Sequence, residues 1–280
     1  MKQVLVTGAN GQLGKSIHRI SSNYPELKIV FTDVEELDIT KTEEVNAFFE
    51  NHAFDYCINC AAYTAVDKAE EEVDKAFLIN ATAAKNLAKA CKKSEAVLIH
   101  ISTDFVFDGS KRTPYTEEDT PNPLSVYGKS KLQGEEYIKE ICERHFIVRT
   151  SWLYSEYGNN FVKTMLRLAE TRDEISVVND QIGSPTYAGD LASFLLEIVK
   201  GDKCKYGLYH YSNEGEISWY DFAVEIFKQH KKAVRVVPIP TSAYPTAAKR
   251  PAYSVLSKKR NQRLWTKGLT NYFNSKQKTN

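Results

Sequence analysis

Val4-Leu5-Val6-Thr7-Gly8-Ala9-Asn10-Gly11-Gln12-Leu13-Gly14 decides how this chain is read. An apolar run with β-branched residues reads as a buried strand. Three glycines follow it where a strand would turn into a helix. Gly8 suits the tight turn, Gly11 lets backbone approach a pyrophosphate, and Gly14 lets a helix over about 12–22 lie close to the sheet. The first turn of that helix offers unpaired N–H groups and the positive end of a dipole to phosphate.

Working outward, the chain repeats the alternation of strand and helix. Strands are expected at 28–33, 55–60, 96–102 and 146–150, and helices at 43–51, from residue 80 to about 93, and at 127–142. Further elements are expected at 160–171, 174–178, 188–200, 208–212, 220–230 and 234–238, with no internal repeat and no linker. The pattern implies an α/β protein: a Rossmann-type doubly wound parallel sheet with a smaller C-terminal substrate-binding lobe. Residues 1–154 are assigned mainly to the nucleotide-binding core and 155–280 mainly to the lobe, with a segment at about 174–205 returning to the core.

A length of 280 residues accommodates one large domain with an attached lobe. No apolar run approaches the ~20 residues of a spanning helix, and a strand pattern starts at once where a signal peptide would stand. A cytoplasmic protein without membrane partners is expected. Five cysteines, an odd number, do not describe a disulfide framework. Cys57 and Cys60 fall in a strand, where residues three apart point to opposite faces, so buried thiols are expected there. The net charge is only +1, yet no acidic residue follows Glu225 while 13 Lys or Arg do. No aromatic-basic motif accompanies these cations, so a solvated surface is expected rather than nucleic-acid binding.

The second strand ends in Asp33, 19 residues after Gly14. A carboxylate at this spacing takes the ribose hydroxyls of a dinucleotide and repels a 2′-phosphate. Asn10 offers no basic compensation, so the sequence leans towards NADH over NADPH. Asp38 or Thr40 is placed to cap the next helix. Small residues after the third strand, Ala61 and Ala62, leave room for a ligand across the sheet edge, and Thr103-Asp104 stands at the end of the fourth, where open α/β sheets bind ligands.

Tyr127 and Lys131 lie four apart at the start of a helix and so share a face. A tyrosine of ordinary pKa near ~10 is a reluctant acid at neutral pH, and a nearby cation lowers that value. Lys131 is expected to supply the cation and to hold the nicotinamide ribose. Thr103 is expected to hydrogen-bond a carbonyl oxygen that Tyr127 protonates.

The glycine spacing resembles that of the short-chain dehydrogenase/reductase superfamily. Blocks at 61–70 (AAYTAVDKAE), 102–109 (STDFVFDG), 126–131 (VYGKSK), 149–154 (RTSWLY), 158–166 (GNNFVKTML), 178–186 (VNDQIGSPT) and 240–246 (PTSAYPT) narrow the resemblance to the dTDP-4-dehydrorhamnose reductase family over nearly the whole chain. The resemblance implies reduction of the 4-keto group of a dTDP-linked 6-deoxyhexose by NADH or NADPH, with Thr103, Tyr127 and Lys131 catalytic. It implies cofactor contacts by Gly8, Gly11, Gln12, Leu13, Gly14, Asp33, Asp38, Ile39, Ala62, Tyr63 and Thr64. It implies sugar-nucleotide contacts by Asp104 and Trp152, and a diphosphate contact by Arg250. Some family members form a homodimer bridged by Mg²⁺ through glutamates. The corresponding regions here read Lys15-Ser16 and Gly189-Asp190, so no structural magnesium and a monomer or weak homodimer are expected. Two alternatives share these motifs: a non-catalytic nucleotide-binding regulatory subunit related to the family, and a nucleotide-sugar epimerase or dehydratase.

Overall fold

The computed structural model describes residues 1–201, 204–259 and 262–277. Arg260 and Lys278 of the basic tail lie outside the described residues. Strands β1 (Lys2–Thr7), β2 (Leu27–Thr32), β3 (Tyr56–Asn59), β4 (Val97–Thr103) and β5 (His145–Thr150) alternate with helices α1 (Gln12–Ile20), α2 (Thr42–Glu50), α3 (Val66–Ala69), α4 (Val73–Phe77), α5 (Ala83–Lys93) and α6 (Val126–Ile141). A π turn, Leu78–Thr82, joins α4 to α5.

The strand order is β2-β1-β3-β4-β5 followed by a later strand, β10 (Gly207–His210), and every pairing is parallel. The chain winds one way from β1 to β2 and the other way from β3 onward. The switch point therefore falls between β1 and β3, where ligands bind beyond the strands' carboxyl ends. Buried on both faces, the strands are apolar almost throughout. One face packs Leu13 and Ile17 of α1 with Leu191, Leu195 and Ile198 of α8 (Ala188–Lys200). The other packs Val45 and Phe49 of α2, Leu87 of α5 and Ile138 of α6.

The lobe carries β6 (Leu153–Tyr154), β7 (Glu174–Val178), β8 (Ile182–Gly183), β9 (Thr186–Tyr187), β11 (Ile217–Ser218) and β12 (Arg235–Ile239), with helices α7 (Phe161–Leu168), α9 (Trp219–His230) and α10 (Trp265–Gln277). Short pairs β7·β12, β8·β11 and β6·β9 frame a second core of Tyr154, Met165, Ile175, Phe222, Ile226 and Leu269. The terminal helix α10 docks on this core, with Leu269 and Tyr272 fully buried. The segment that returns to the main sheet starts later and ends later than 174–205. β7 pairs with β12 in the lobe, whereas α8 and β10 join the core. A short apolar strand carries no sign of which sheet it enters, and this displaced the boundary.

One local expectation needs correction. Neither Asp38 nor Thr40 caps α2: Lys41 stands at its N-cap with no side-chain bond, and Asp38 instead accepts from the Thr40 amide and hydroxyl at 3.0 and 2.6 Å. The charged stretch around 67–75 folds as the short helices α3 and α4. Three of the tail cations meet earlier acids, through Arg263–Asp190 (2.7 Å), Lys258–Glu214 (3.5 Å) and Lys259–Glu117 (3.6 Å). Cys57, Cys60, Cys91 and Cys142 are free thiols. Among the described residues no helix is long and apolar enough to cross a membrane.

Candidate active site

The glycine loop has the geometry of a phosphate cradle. Gly8 has φ +66, and a Cβ there would stand 2.6 Å from the Ala61 backbone, so the β1 turn and the loop after β3 are in direct backbone contact. A Cβ on Gly14 would meet the Gly8 carbonyl at 2.5 Å, which holds α1 against the turn. Gly11, the N-cap of α1, has no such crowding beyond the Gly8 carbonyl at 3.2 Å and no side chain capping the helix. The first-turn amides of α1, which have no partner within a helix, are thereby left to a ligand such as a pyrophosphate. The residues present fit a dinucleotide.

Beside this cradle lies a depression of ≈ 300 Å³ lined by Ala9, Asn10, Lys15, His18, Phe31, Asp33 and Glu36. The Asp33 carboxylate accepts from the Asn10 amide at 2.8 Å and the Val34 amide at 2.9 Å, and its own amide donates to Glu36 at 2.8 Å. Two carboxylates therefore meet in this depression, with Lys15 and His18 as the neighbouring basic groups.

Other residues expected at the cofactor are committed elsewhere through their side chains. Leu13 and Ile39 belong to the two cores and are 4% and 7% exposed, so only their backbone is left to a ligand. Gln12 Oε1 accepts from Ser155 at 3.1 Å and Asn160 at 2.9 Å, tying the glycine loop to the lobe. The Tyr63 phenol donates to Glu72 at 3.1 Å, and its amide and carbonyl are both bonded by the buried Asn80 of the π turn. Ala62 is half-buried and Thr64 exposed.

Thr103, Tyr127 and Lys131 converge at the carboxyl end of β4. Ser125 caps α6 by accepting from Gly128, and Glu70 accepts from the Val126 amide at 2.9 Å. A Cβ on Gly128 would lie 2.3 Å from the Phe105 carbonyl, so the helix start is pressed directly on the turn after Thr103. The Thr103 hydroxyl donates to Asp104 at 3.1 Å and lies close enough to the Tyr127 phenol to favour its ionised form.

Burial nevertheless dominates, with the Asp104 charge adding to it, and pushes the phenol up to about 12. This corrects the expectation that Lys131 makes Tyr127 acidic. The Lys131 amine is 2.7 Å from the Ile101 carbonyl and 3.2 Å from His100 Nε2, and burial brings it down to about 8. Asp104 is fully buried and pushed up to about 6 by loss of solvent. One turn beyond Lys131, Glu135 grips Arg149 of β5 through two bonds of 2.8 and 2.7 Å, with both side chains at most 1% exposed.

Across from this constellation the lobe encloses a cavity of ≈ 720 Å³, the size range of small-molecule sites. Phe105, Ser254, Trp152, Trp219, Arg172 and Arg250 are among the residues that line it, and the Phe105 ring meets that of Tyr127 edge-on at 5.7 Å. Trp152, at φ +48, stacks face to face on Trp219 with ring centroids 3.5 Å apart. Arg250 does not stand free. Its fork is closed on Asp67 at 2.7 and 3.1 Å, so an incoming diphosphate would have to share it with, or take it from, that carboxylate.

The comparisons agree with this geometry. The family model described as "RmlD substrate binding domain" matches residues 1–278. A dTDP-4-dehydrorhamnose reductase of Aggregatibacter actinomycetemcomitans is 46% identical over 266 residues, covering 91% of this chain and 90% of the relative. The chain belongs to the dTDP-4-dehydrorhamnose reductase family. Among solved structures, the family's Clostridium acetobutylicum member has TM-score 0.94 at 46% identity, covering 98% of this chain and 99% of the other. A Bacillus anthracis member in complex with NADP has TM-score 0.94 at 44% identity, covering 98% and 100%. The sheet and the oxidoreductase class expected from the sequence are those of this family.

In the regions where the resemblance implied bridging glutamates, Lys15 lines the depression beside the glycine loop, and Asp190 is bonded to Arg263 at 2.7 Å and Asn213 at 2.9 Å. Among the described residues no three His, Cys, Asp or Glu side chains gather as a metal would need. Sequence reasoning missed Trp219, Phe105, Arg172 and Ser254 as cavity residues, and Asn59 and His100 behind Lys131. Ser218-x-x-Asp221 does mark a capping box, and so the helix start at Trp219, but not the direction of its indole.

Proposed function

We propose that this protein reduces the 4-keto group of dTDP-4-dehydro-β-L-rhamnose to dTDP-L-rhamnose, the last step of dTDP-rhamnose biosynthesis, in the cytoplasm. The observation that carries the reading is the convergence of Thr103, Tyr127 and Lys131 at the end of β4, beside a cavity lined by Phe105, whose ring meets that of Tyr127 edge-on at 5.7 Å. The 46% identical relative and the NADP-bound neighbour support it. The free thiols at Cys57, Cys60, Cys91 and Cys142 fit a reducing compartment.

Reduction of a ketone adds a hydride to carbon and a proton to oxygen. A reduced nicotinamide would supply the hydride, held by the loop of Gly8, Gly11 and Gly14, by Asp33 and by Lys131. A phenol with a raised pKa is fully protonated at neutral pH, so Tyr127 is a ready proton source for an alkoxide, which is a much stronger base than phenolate. The Thr103 hydroxyl donates to the same oxygen as its charge develops and turns from Asp104 to do so. Asp104, Trp152 and Arg250 bind the sugar nucleotide, Trp152 by presenting its indole to the sugar's apolar face. Asp33 and Glu36 disfavour a 2′-phosphate, which supports NADH over NADPH. Residues 1–154 with the returning segment form the nucleotide half and the rest the substrate half. With Asp190 engaged within the chain, the protein acts as a monomer or weak homodimer without structural magnesium.

The test mixes purified protein with NADH and dTDP-4-dehydro-β-L-rhamnose and follows absorbance of the reduced nicotinamide, with product analysis. Stoichiometric oxidation giving dTDP-L-rhamnose is expected. Cofactor binding without oxidation would overturn the reading in favour of a regulatory subunit, and turnover on tightly held NAD⁺ without added reductant in favour of an epimerase.

A further inference from the structure

The segment that follows β12 walls the lobe's cavity through Ala243, Tyr244, Thr246 and Arg250. One end of it is pinned by Asp180, which accepts from the Thr241 amide at 2.9 Å. The other end is pinned by Asp67 of α3, whose carboxylate accepts from the Ala248 amide at 3.1 Å and from Arg250 Nη1 at 3.1 Å and Nη2 at 2.7 Å. The bonds from Arg250 hold the Asp67 carboxyl below the usual carboxylate range, so it is charged at neutral pH. Just past the end of α3, Glu70 accepts from the Val126 amide at 2.9 Å, one residue before Tyr127. One short stretch of chain thus anchors both the cavity wall and the start of the helix that carries the proton donor.

How Arg250 is held decides what it can still bind. A guanidinium carries its five N–H groups in one plane, and they make an end-on fork from Nη1 and Nη2 and a side-on fork from Nε and Nη2. Asp67 fills the end-on fork, and Nη1 also donates to the Ala248 carbonyl at 3.1 Å. Nε–H and the remaining Nη2 proton meet no partner among the described residues, and these two make up the side-on fork. That edge matches the spacing of two phosphate oxygens. A planar group gripped along one edge has its other edge aimed before a ligand arrives.

Resting on the reading of Arg250 as the diphosphate partner, we infer that Asp67 is a positioning residue: it grips the end-on edge of Arg250 and presents the side-on edge to the diphosphate of the sugar nucleotide. The diphosphate shares the guanidinium with Asp67 and does not displace it. The long arginine side chain is then ordered in advance, a cost that binding would otherwise bear. Because Asp67 also offsets the arginine's charge, the arrangement works by geometry and not by net attraction. A carboxylate that merely competed with the ligand would act in the opposite sense, and its removal would tighten binding. Thymidine, which has the base and the deoxyribose but no phosphate, makes no use of this edge.

The test reads binding and does not depend on turnover. Isothermal titration calorimetry of the full-length protein compares dTDP with thymidine. Asp67→Ala is expected to weaken dTDP by about tenfold or more and to leave thymidine at the parental affinity, because only the diphosphate needs the aimed edge. Arg250→Lys keeps the charge but has no second edge, and the same selective loss of about tenfold or more is expected. Adding Asp67→Ala to Arg250→Lys is expected to cause no further loss, since the two residues act as one device. Unchanged or tighter dTDP binding by Asp67→Ala overturns the inference. Equal loss of both ligands overturns it as well, since Asp67 then only holds the cavity wall in place. Parental dTDP affinity in Arg250→Lys overturns it even where Asp67→Ala does not fold. These outcomes leave the reductase reading standing, which the parent's oxidation of NADH with the keto-sugar decides separately.

Discussion

Glu135→Gln removes the charge that answers Arg149 in the least hydrated place in the molecule. Two bonds of 2.8 and 2.7 Å join the pair, the arginine is 1% exposed and the glutamate not at all. Arg149 also lies over the Phe107 ring at 5.0 Å, so it has no open path to water. Breaking a buried pair by neutralising one partner costs about 3–5 kcal/mol, because the survivor is left charged and dry. Against a total stability of about 5–15 kcal/mol, that is a large share. Urea unfolding at neutral pH should show the midpoint of Glu135→Gln falling with little change in slope, and the folding constant dropping by about 10²- to 10⁴-fold. Burial raises the Glu135 carboxyl but Arg149 outweighs it, so its folded pKa lies below the unfolded value. The pair's contribution is therefore complete above about pH 4.3 and lost as pH falls through the folded value, and Glu135→Gln should converge with the parent in acid. The double variant Glu135→Leu/Arg149→Met removes both charges and should recover most of the loss. A single variant costing under about 1 kcal/mol, or a double variant no better than the single, would refute the reasoning.

Other outcomes follow from the same geometry. Thr103→Val should lower kcat by about 10²- to 10³-fold with the affinity for NADH unchanged, measured by steady-state kinetics beside fluorescence titration of the cofactor. Asp33→Ser should move the NADPH:NADH ratio of kcat/KM towards NADPH by tenfold or more, since a carboxylate that repels a 2′-phosphate is gone. Asp104 ionises near pH 6 when folded and near pH ~3.9 when unfolded, so its ionisation costs stability as pH rises through that window. The melting temperature of Asp104→Asn relative to the parent should rise between pH 4 and 7.

The sheet and the cofactor cradle were legible because local sequence determines them. A strand, three glycines at fixed spacing and a helix without a capping side chain leave few other arrangements for residues 4–20, and the turn, the helix start and Asp33 all stand where that pattern puts them. Tyr127 and Lys131 were legible because four residues on a helix is one face. What Lys131 faces was not, since Ile101 and His100 lie about thirty residues away and meet it only through the packing of α6 on β4. The phenol's rise escaped for the same reason: burial is a property of the assembled site, and the sequence offered only the neighbouring charge. Arg250 was marked as a phosphate partner, but its closure on Asp67, 183 positions earlier, depends on the lobe folding back over α3. Trp219 was invisible because a tryptophan at a helix start reads alike whether its ring fills a core or walls a cavity.

The central claim is that the Tyr127 hydroxyl delivers the proton in carbonyl reduction. The most direct measurement is single-turnover reduction of dTDP-4-dehydro-β-L-rhamnose by Tyr127→Phe with saturating NADH, with cofactor binding and melting temperature checked in parallel. A rate at least 10²-fold below the parent is expected in a folded, cofactor-binding protein. Reduction at the parental rate would contradict it.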